Sequence, residues 1–421
     1  MTELNNVAVS DDDFNPAAAP KARETAGAKA AVWGGKGLTA AIAVSGALAV
    51  IGIALWVVQL SGGMVQTGMR NLDSWGLYIT NFMFFVGLSA GGLIISSVPK
   101  AFGIAGFGGI SKVAVWSSIA ATVCAIAFVV VDLGQPLRLW ELFAYSNLGS
   151  PLMWDIIVLG TYLILSCVYL WAQLRAEAGK VSSTALRVIS VVALVCAVLV
   201  HSVTAWIFGL QQGREMWHTA LLAPWFVSSA LVCGTGLVIC VAAALRRAGY
   251  LALEQAQLAR LAKLLGAFLV VDLYFFGCDL LTEGFPGGEG LAVVDMLVSG
   301  PLAPFFWVEV VGCVAAAVIC FTPSLRRPGL IALASALAIL AILCKRVQIL
   351  VGGFQIANLA DYAAASGPMT VTNWESGMAG AYQGMVYWPA PIEWGVCAGV
   401  VALAVLVFLL GLKFLPLRPQ D

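Results

Sequence analysis

Charged residues are scarce in this sequence. Lys, Arg, Asp and Glu make up 10% of its 421 residues and balance to a net charge of zero, whereas 61% of the residues are hydrophobic. The mean hydropathy is +0.94. A soluble domain of this length could not cover its surface with so few polar groups. The composition therefore predicts an integral membrane protein surrounded by lipid, and no nucleic-acid partner is expected.

Histidine is nearly absent, and the cysteines are not arranged as ligands. A b-type haem held between helices needs two facing histidines, but His201 falls inside an apolar run and His218 beyond its end. The ten cysteines all lie inside apolar runs and form no CxxC pair, whereas iron–sulfur ligation uses closely spaced thiolates. We therefore expect neither haem nor an iron–sulfur cluster in this chain, and we interpret the cysteines as packing residues.

Long apolar runs are abundant. A helix needs about 20 predominantly apolar residues to cross a bilayer, and open sheet edges are not tolerated in lipid. Ten runs meet this length: 38–60, 74–98, 113–132, 152–174, 188–210, 225–245, 263–281, 302–322, 330–352 and 391–415. The sequence therefore predicts an all-α integral membrane protein with ten transmembrane helices.

The polar segments outside these runs predict the orientation. Residues 1–36 are polar and Ala-rich, and we expect a disordered tail rather than a cleaved signal peptide. Of the 22 Lys and Arg residues, 17 fall on the side of the two chain ends and three on the other side. Because cytoplasmic loops carry an excess of Lys and Arg, both termini are expected to be cytoplasmic. The long loop 353–390 is then extracytoplasmic.

Polar residues gather in the outer halves of spans two to five. Ionisable groups at bilayer depth are costly, so each is a candidate for function. We predict that His201 and Asp155 border one pocket as its catalytic groups, with Tyr78 and Asn81 on the opposite wall. Such a pocket would bind a carbonyl-bearing ring and exchange protons with it. The alternative for these side chains is helix capping, hydrogen bonding between helices or packing. Further candidates for the same region are Ser89, Gln135, Arg138 and His218.

Spans six to nine contain a second polar set. Its members are Asp272, Asp279, Glu309, Lys345 and Arg346. Asp272 and Asp279 are seven residues apart and share a helix face, whereas Lys345 and Arg346 are about 100° apart and face different ways. One of the two cations is expected to pair with Glu309 or Asp272, and the other to snorkel outward. A structural ion pair and a proton path both fit this set.

Several strings together resemble the NrfD/PsrC family of polysulfide reductase membrane subunits. They include "DLGQPLRLW" (132–140), "SPLMWD" (150–155), "HSVTAW" (201–206) and "KRVQILVGG" (345–353), and the resemblance covers roughly residues 74–353. Ten spans make the chain similar to the longer branch of the family. It departs from that branch at two positions, with Ser89 in place of a frequent histidine and Ile207 in place of a frequent acid.

The resemblance implies an architecture and a function. It implies two four-helix bundles, residues 74–210 and 225–352, flanked by the first and last helices and holding no redox cofactor of their own. It further implies that menaquinone or ubiquinone reacts near the outer face of a prokaryotic cytoplasmic membrane. Electrons would pass between the quinone pool and an extracytoplasmic four-cluster ferredoxin-like iron–sulfur subunit of a respiratory complex with a molybdopterin catalytic subunit. Asp155, His201 and His218 match polar positions of the longer branch.

A function of another class is also open. Paired bundles with buried charges would serve a secondary transporter or a proton antiporter. Transporters often have helices broken by Gly or Pro at matching places in two repeats, and the spans of this chain contain few interior prolines. The sequence therefore favours the redox function.

Overall fold

The fold consists of helices that are long and apolar enough to cross a bilayer. The computed structural model describes residues 35–70, 73–103, 108–355 and 387–418. Ten spanning helices lie in these ranges: α1 (Lys36–Gly62), α2 (Leu77–Phe102), α3 (Gly108–Asp132), α5 (Pro151–Glu177), α6 (Ser183–Gly209), α7 (Leu222–Arg247), α8 (Gln255–Gly284), α10 (Ala303–Phe321), α11 (Pro328–Gln355) and α12 (Pro391–Phe414). No strand occurs within these ranges. The prediction of an all-α protein with ten spans is confirmed, and the chain is a multi-pass membrane protein.

Two shorter α-helices and one π-helical segment of the described ranges were not expected. Helix α4 (Glu141–Ala144) follows α3, and α9 (Gly288–Val298) follows α8. Gly287 and Gly288 both have positive φ, which lets the chain turn sharply between α8 and α9. Helix α9 has 11 residues, too few to cross a bilayer. Within α11, the segment Gln348–Gly352 is π-helical, a local change that is frequent at functional sites.

Helix α2 lies at the centre of the molecule. It packs against α3 and α6 on one side and against α7 and α11 on the other. Helices α2, α3, α5 and α6 form one set of neighbours, and α7, α8, α10 and α11 form a second. Helices α1 and α12 pair with each other, and α12 also packs against α3. We call the first two sets the first and the second bundle.

Glycines set the closest approaches between these helices. A Cβ on Gly91 of α2 would lie 2.3 Å from Cα of Gly234 in α7, and a Cβ on Gly52 of α1 would lie 2.3 Å from Cα of Gly399 in α12. Small residues let helix backbones meet in lipid, where the hydrophobic effect does not drive helices together. The first pair joins the two bundles, and the second joins α1 to α12.

The two sides of the protein differ in which loops they hold. We call the side on which α1 begins and α12 ends the termini face, and it contains the turns 178–182, 248–254 and 322–327. The other side, the far face, contains residues 63–70, 73–76, 133–150, 210–221 and 285–302. Most of the predicted tail 1–36 and most of the predicted loop 353–390 lie outside the described residues.

Candidate functional site

A cavity of about 410 Å³ opens in the first bundle near the far face. This volume lies within the range of small-molecule pockets. Aromatic and aliphatic side chains of all four helices form most of its wall, and Leu139, Leu142 and Phe143 of the segment after α3 cover it. Two carboxylic acids, Asp132 and Asp155, line it. The cavity therefore combines an apolar interior with two groups that can exchange protons.

Asp155 is fixed by a hydrogen bond from the neighbouring helix. Helix α5 begins at Pro151, a favourable first position, which places Asp155 one turn inside the helix. The Asp155 side chain is 5% exposed, and its Oδ1 accepts a hydrogen bond from Thr204 Oγ1 at 2.5 Å. The rest of the carboxyl group is available to a molecule in the cavity.

Asp132 is the second acid of the cavity. It is the last residue of α3, and its Oδ1 is buried without a hydrogen-bond partner among the described residues. A buried polar atom that lacks a partner is costly and points to a missing ligand or water. The sequence places Asp132 with Gln135 and Arg138 at the turn after the third span, but Asp132 was not included among the candidate site residues.

His201, predicted to border a pocket together with Asp155, is buried and is not among the residues that line this cavity. Its side chain is 1% exposed, Nδ1 lies 3.2 Å from Ala197 O, and Nε2 has no partner among the described residues. Ile207 and Phe208, farther along α6, form the wall instead. His201 lies one turn deeper than Thr204 on the same helix face. It therefore lies deeper in the bundle than Thr204, which holds Asp155.

Tyr78 and Asn81, predicted for the opposite wall, do not line this cavity either. The Tyr78 hydroxyl donates to Gln59 Oε1 of α1 at 2.5 Å. Asn81 Nδ2 donates to Leu77 O at 2.8 Å and contacts Cys397 Sγ of α12 at 3.7 Å. Together with Trp75, which precedes α2, the helix residues Ile79 and Phe82 line the cavity instead. Because each residue turns a helix by about 100°, their face is rotated by roughly a quarter turn from that of Tyr78 and Asn81.

Asn81 borders a different space. A groove of about 770 Å³ lies between the α1–α12 pair and the second bundle, and its wall is almost entirely apolar. Asn81 and Thr80 are among the few polar side chains that reach it. The amide therefore faces a lipid-like environment rather than the carboxylates of the first bundle.

The second bundle contains a compact ion cluster. Lys345 Nζ lies 2.5 Å from Asp272 Oδ2 and 3.3 Å from Glu309 Oε1, and all three side chains are at most 2% exposed. Ser228 Oγ donates to Asp272 at 2.9 Å, and Gln348 Nε2 donates to Glu309 at 2.7 Å. The predicted pairing of a cation of the ninth span with Glu309 or Asp272 is confirmed, and Lys345 pairs with both.

Arg346 faces away from Lys345, as the helix geometry predicts, but it does not snorkel. Its side chain is fully buried, and Nη2 donates to Ser229 Oγ of α7 at 2.5 Å. The guanidinium lies 3.8 Å from the centre of the Phe226 ring, a favourable cation–π contact. Nε and Nη1 have no partner among the described residues. The Arg346 side chain does not extend outward as predicted, because α7 and α2 cover this side of α11.

Asp279 lies about two turns beyond Asp272 along α8, toward the far face. It is partly buried, and its Oδ1 has no partner in the described part of the chain. The second bundle thus contains two acids paired with one lysine and a third acid, nearer the far face, whose buried oxygen has no partner among the described residues.

Comparison with known proteins matches the chain to a family. The model of the polysulphide reductase, NrfD family matches residues 65–358. This chain belongs to the NrfD family. The match includes both bundles, the cavity and the ion cluster.

Similar proteins cover nearly the whole chain. One is described as a candidate membrane subunit of dimethyl sulfoxide reductase from Halobacterium salinarum, 34% identical over 88% of this chain and 89% of that protein. Another is a subunit of selenate reductase from Mesobacillus selenatarsenatis, 24% identical over 88% and 92%. A third is the Hdr-like menaquinol oxidoreductase integral membrane subunit from Archaeoglobus fulgidus, 26% identical over 88% and 92%.

Three other candidates of this NrfD-family chain lie on the far-face surface. Gln135, Arg138 and His218 are exposed. Arg138 Nε and Nη2 donate to the two carboxylate oxygens of Glu141 at 2.8 and 2.7 Å, and these bonds hold the pKa of Glu141 below its usual range. The structure therefore places all three outside the cavity.

Ser89 is fully buried in the first bundle, well away from the far-face cavity. Its Oγ donates to Val86 O at 2.8 Å, and its side chain lies beside the Tyr162 hydroxyl. This position is the one at which the longer NrfD branch often has a histidine. Here a small hydroxyl group occupies it.

Glu393 was missed in the sequence. It is fully buried near the start of α12, where its Oε2 accepts hydrogen bonds from Gly68 N at 2.6 Å and Ala390 N at 2.8 Å. The Tyr387 hydroxyl donates to Oε1, and burial together with this acid raises the pKa of Tyr387. Glu393 ties the loop after α1 to α12. An acid three residues after Ala390, beside Pro391, was the available capping signal.

Proposed function

We propose that this chain is the quinone-reactive membrane subunit of a respiratory oxidoreductase complex. The observation that supports it most is the first-bundle cavity, in which Asp132 and Asp155 reach an otherwise apolar space near one membrane face. A quinone needs such a site, because its ring and tail are apolar whereas its two oxygens exchange protons during reduction. Membership of the NrfD family supports the same function. So does the menaquinol oxidoreductase subunit among the similar proteins.

The cavity residues have distinct roles in this proposal. Trp75 and Phe82 flank the ring, and the Asp155 carboxyl group hydrogen-bonds one ring oxygen and exchanges a proton with it. Thr204 fixes the orientation of Asp155 through its 2.5 Å hydrogen bond. Asp132 serves the second oxygen, because its Oδ1 has no other partner among the described residues. The quinone, menaquinone or ubiquinone, is the substrate of this site.

The complex would place its electron carrier beside the cavity. We propose an extracytoplasmic four-cluster ferredoxin-like iron–sulfur subunit on the far face and a molybdopterin catalytic subunit beyond it. Subunits of dimethyl sulfoxide and selenate reductases among the similar proteins support a reductase complex of this kind. The membrane would be the prokaryotic cytoplasmic membrane with both termini cytoplasmic, supported by the excess of basic residues on the termini face.

For the second bundle we propose a proton path. Asp279 lies nearer the far face than the cluster of Asp272, Glu309 and Lys345. Arg346 adds a positive charge near this cluster. Buried ionisable groups within a membrane bundle are typical of proton relays. The unbonded Oδ1 of Asp279, on the far-face side of the cluster, supports an opening in that direction.

Binding and turnover of an Asp155→Asn variant test the quinone site. Purified wild-type complex should quench the fluorescence of the quinol analogue heptylhydroxyquinoline N-oxide. Asp155→Asn keeps the size of the side chain but cannot exchange a proton, so quinol-linked turnover should fall by about 10²–10⁴-fold. Asp295→Asn, an exposed acid of α9 on the same face, is the matched control. No quenching by the wild-type complex would reject the proposed function and leave the transporter as the alternative.

A further inference from the structure

Helix α5 has one polar stripe that runs almost its whole length. The stripe consists of Asp155, Tyr162, Ser166, Tyr169 and Gln173, spaced three, four or seven residues apart and therefore on one face. All five side chains are buried, with at most 5% exposure. Tyr162, Ser166 and Tyr169 lie neither in the cavity wall nor at an end of the helix. A buried line of hydroxyl groups through an apolar span needs an explanation.

The stripe ends at the termini face in a hydrogen-bonded group. Ser111 Oγ lies 2.6 Å from Ser96 Oγ, and it donates to Gln173 Oε1 at 3.0 Å. Gln173 Nε2 donates to Ser96 Oγ at 3.1 Å. Lys100 Nζ donates to Ser111 Oγ at 2.9 Å. Lys100 is only partly buried and connects this group to the surface.

Glu177 provides a second connection to the same surface. Its carboxylate pairs with Lys112 Nζ at 2.7 Å, and its side chain is 36% exposed. A carboxylate and an ammonium group therefore lie at the termini-face mouth of the stripe, where protons can be exchanged with water.

Two tyrosines continue the stripe through the middle of the bundle. The Tyr169 hydroxyl donates to Ser96 O at 3.0 Å and also lies 3.4 Å from Ser96 Oγ. The Tyr162 hydroxyl lies 2.7 Å from Ser118 Oγ of α3. Seven residues of helix separate the tyrosines by about 10 Å, and Ser166 lies between them. Water that enters between these hydroxyl groups would complete a proton path.

At the cavity, side chains of α6 contact the stripe. Thr204 donates to Asp155 at 2.5 Å, and Ser190 of the same helix lies beside Tyr169. Helices α5 and α6 run antiparallel, so His201 lies at a depth between Asp155 and Tyr162. Its Nε2 is buried and unbonded among the described residues. An imidazole thus lies at a depth between Tyr162 and the Asp155 carboxyl group of the cavity.

We propose that the polar stripe of α5, completed by His201, conducts protons between the termini face and the first-bundle cavity. The inference rests on the proposed quinone function. Oxidation of one quinol to quinone releases two electrons, which pass to the iron–sulfur subunit, and two protons, which leave through Asp155, His201, Tyr162 and Tyr169. Reduction of a quinone takes up two electrons and two protons along the same routes in reverse. The protons and the electrons then use opposite faces of the membrane.

Two conservative variants test the path in the complete complex. Tyr162→Phe and Tyr169→Phe each remove one hydroxyl group and keep the ring. Quinol oxidation, measured with a soluble dye that accepts electrons from the iron–sulfur subunit, should fall at least about 10-fold for each variant. The solvent deuterium isotope effect should rise, because proton transfer becomes limiting. Affinity for heptylhydroxyquinoline N-oxide should not change. Tyr145→Phe and Tyr274→Phe, both at exposed positions, are the matched controls.

The sidedness of proton release gives an independent measurement. In oriented liposomes with a pH dye on one side, the wild-type complex should release protons from quinol on the termini face. Release on the far face, or wild-type turnover in both tyrosine variants, would overturn the path. Equal loss of assembly and of inhibitor affinity would make the tyrosines structural and would also overturn it. Failure of the wild-type complex to bind the inhibitor would instead reject the quinone function itself.

Discussion

Thr204 donates a hydrogen bond of 2.5 Å to the Asp155 carboxylate, across the contact between α6 and α5. Thr204 also donates to Val200 O of its own helix at 2.8 Å, so its single hydroxyl proton is shared between the two acceptors. His201 lies one turn deeper on the same face of α6. The histidine and the aspartate, both singled out in the sequence, therefore lie at different depths and do not share the wall of this cavity.

This relationship predicts how a His201→Phe variant behaves. The substitution keeps an aromatic ring in the buried space but removes both nitrogens. Affinity for the quinol analogue should stay within about twofold of the wild-type value, because His201 does not line the cavity. Quinol-linked turnover should fall by about 10²–10⁴-fold, as for a lost proton carrier. Ser202→Ala, on the next residue and partly exposed, is the control. A large loss of affinity would indicate that His201 contacts the bound quinol analogue directly.

The contact between Gly91 and Gly234 predicts that Gly91→Val prevents assembly. A Cβ at position 91 would lie 2.3 Å from the Gly234 Cα and 2.7 Å from Ala230 O, so the two bundles would have to separate. Membrane extracts should contain little folded protein when measured by size-exclusion chromatography. Gly46→Val is the matched control, because a Cβ there has no neighbour within 4 Å. A normal yield of folded Gly91→Val protein would contradict the close packing of α2 on α7.

The ion cluster of the second bundle predicts unequal effects of two substitutions. Lys345→Met leaves the Asp272 and Glu309 carboxyl groups buried without their cation, and the loss of one partner of a buried pair costs about 3–5 kcal/mol. Glu309→Gln removes only one of the two partners of Lys345 and should destabilise less. Thermal unfolding of the complex measures both, with the exposed Lys263→Met as control. Unchanged assembly and turnover in Glu309→Gln would exclude a proton path through that residue.

The distribution of basic residues predicts the orientation in the membrane. Reporter fusions at Lys180, between α5 and α6, and at Gly287, between α8 and α9, should report opposite sides. A reporter that is active only in the cytoplasm should be active at Lys180 and silent at Gly287. The same signal at both positions would contradict the assigned number of spans between them.

The arrangement of residues along a single helix could be predicted from the sequence. The number of spans follows from runs of about 20 apolar residues, which are local in the chain. The opposite directions of Lys345 and Arg346 follow from the 100° turn between adjacent helical residues. Burial of unpaired charges in lipid is so costly that the pairing of Lys345 with an acid could also be expected.

Relations between helices were decided only by the tertiary structure. Helix α2 is apolar on most faces, so its sequence does not show which face meets the cavity, and Ile79 and Phe82 line it where Tyr78 and Asn81 were expected. Arg346 does not snorkel, because α7 and α2 cover the side of α11 from which it projects. In a soluble protein the polar face of a helix marks its rotation, but here both lipid and protein interior favour apolar side chains. Packing therefore sets the rotation of each helix about its axis, and this rotation decides which residues line each site.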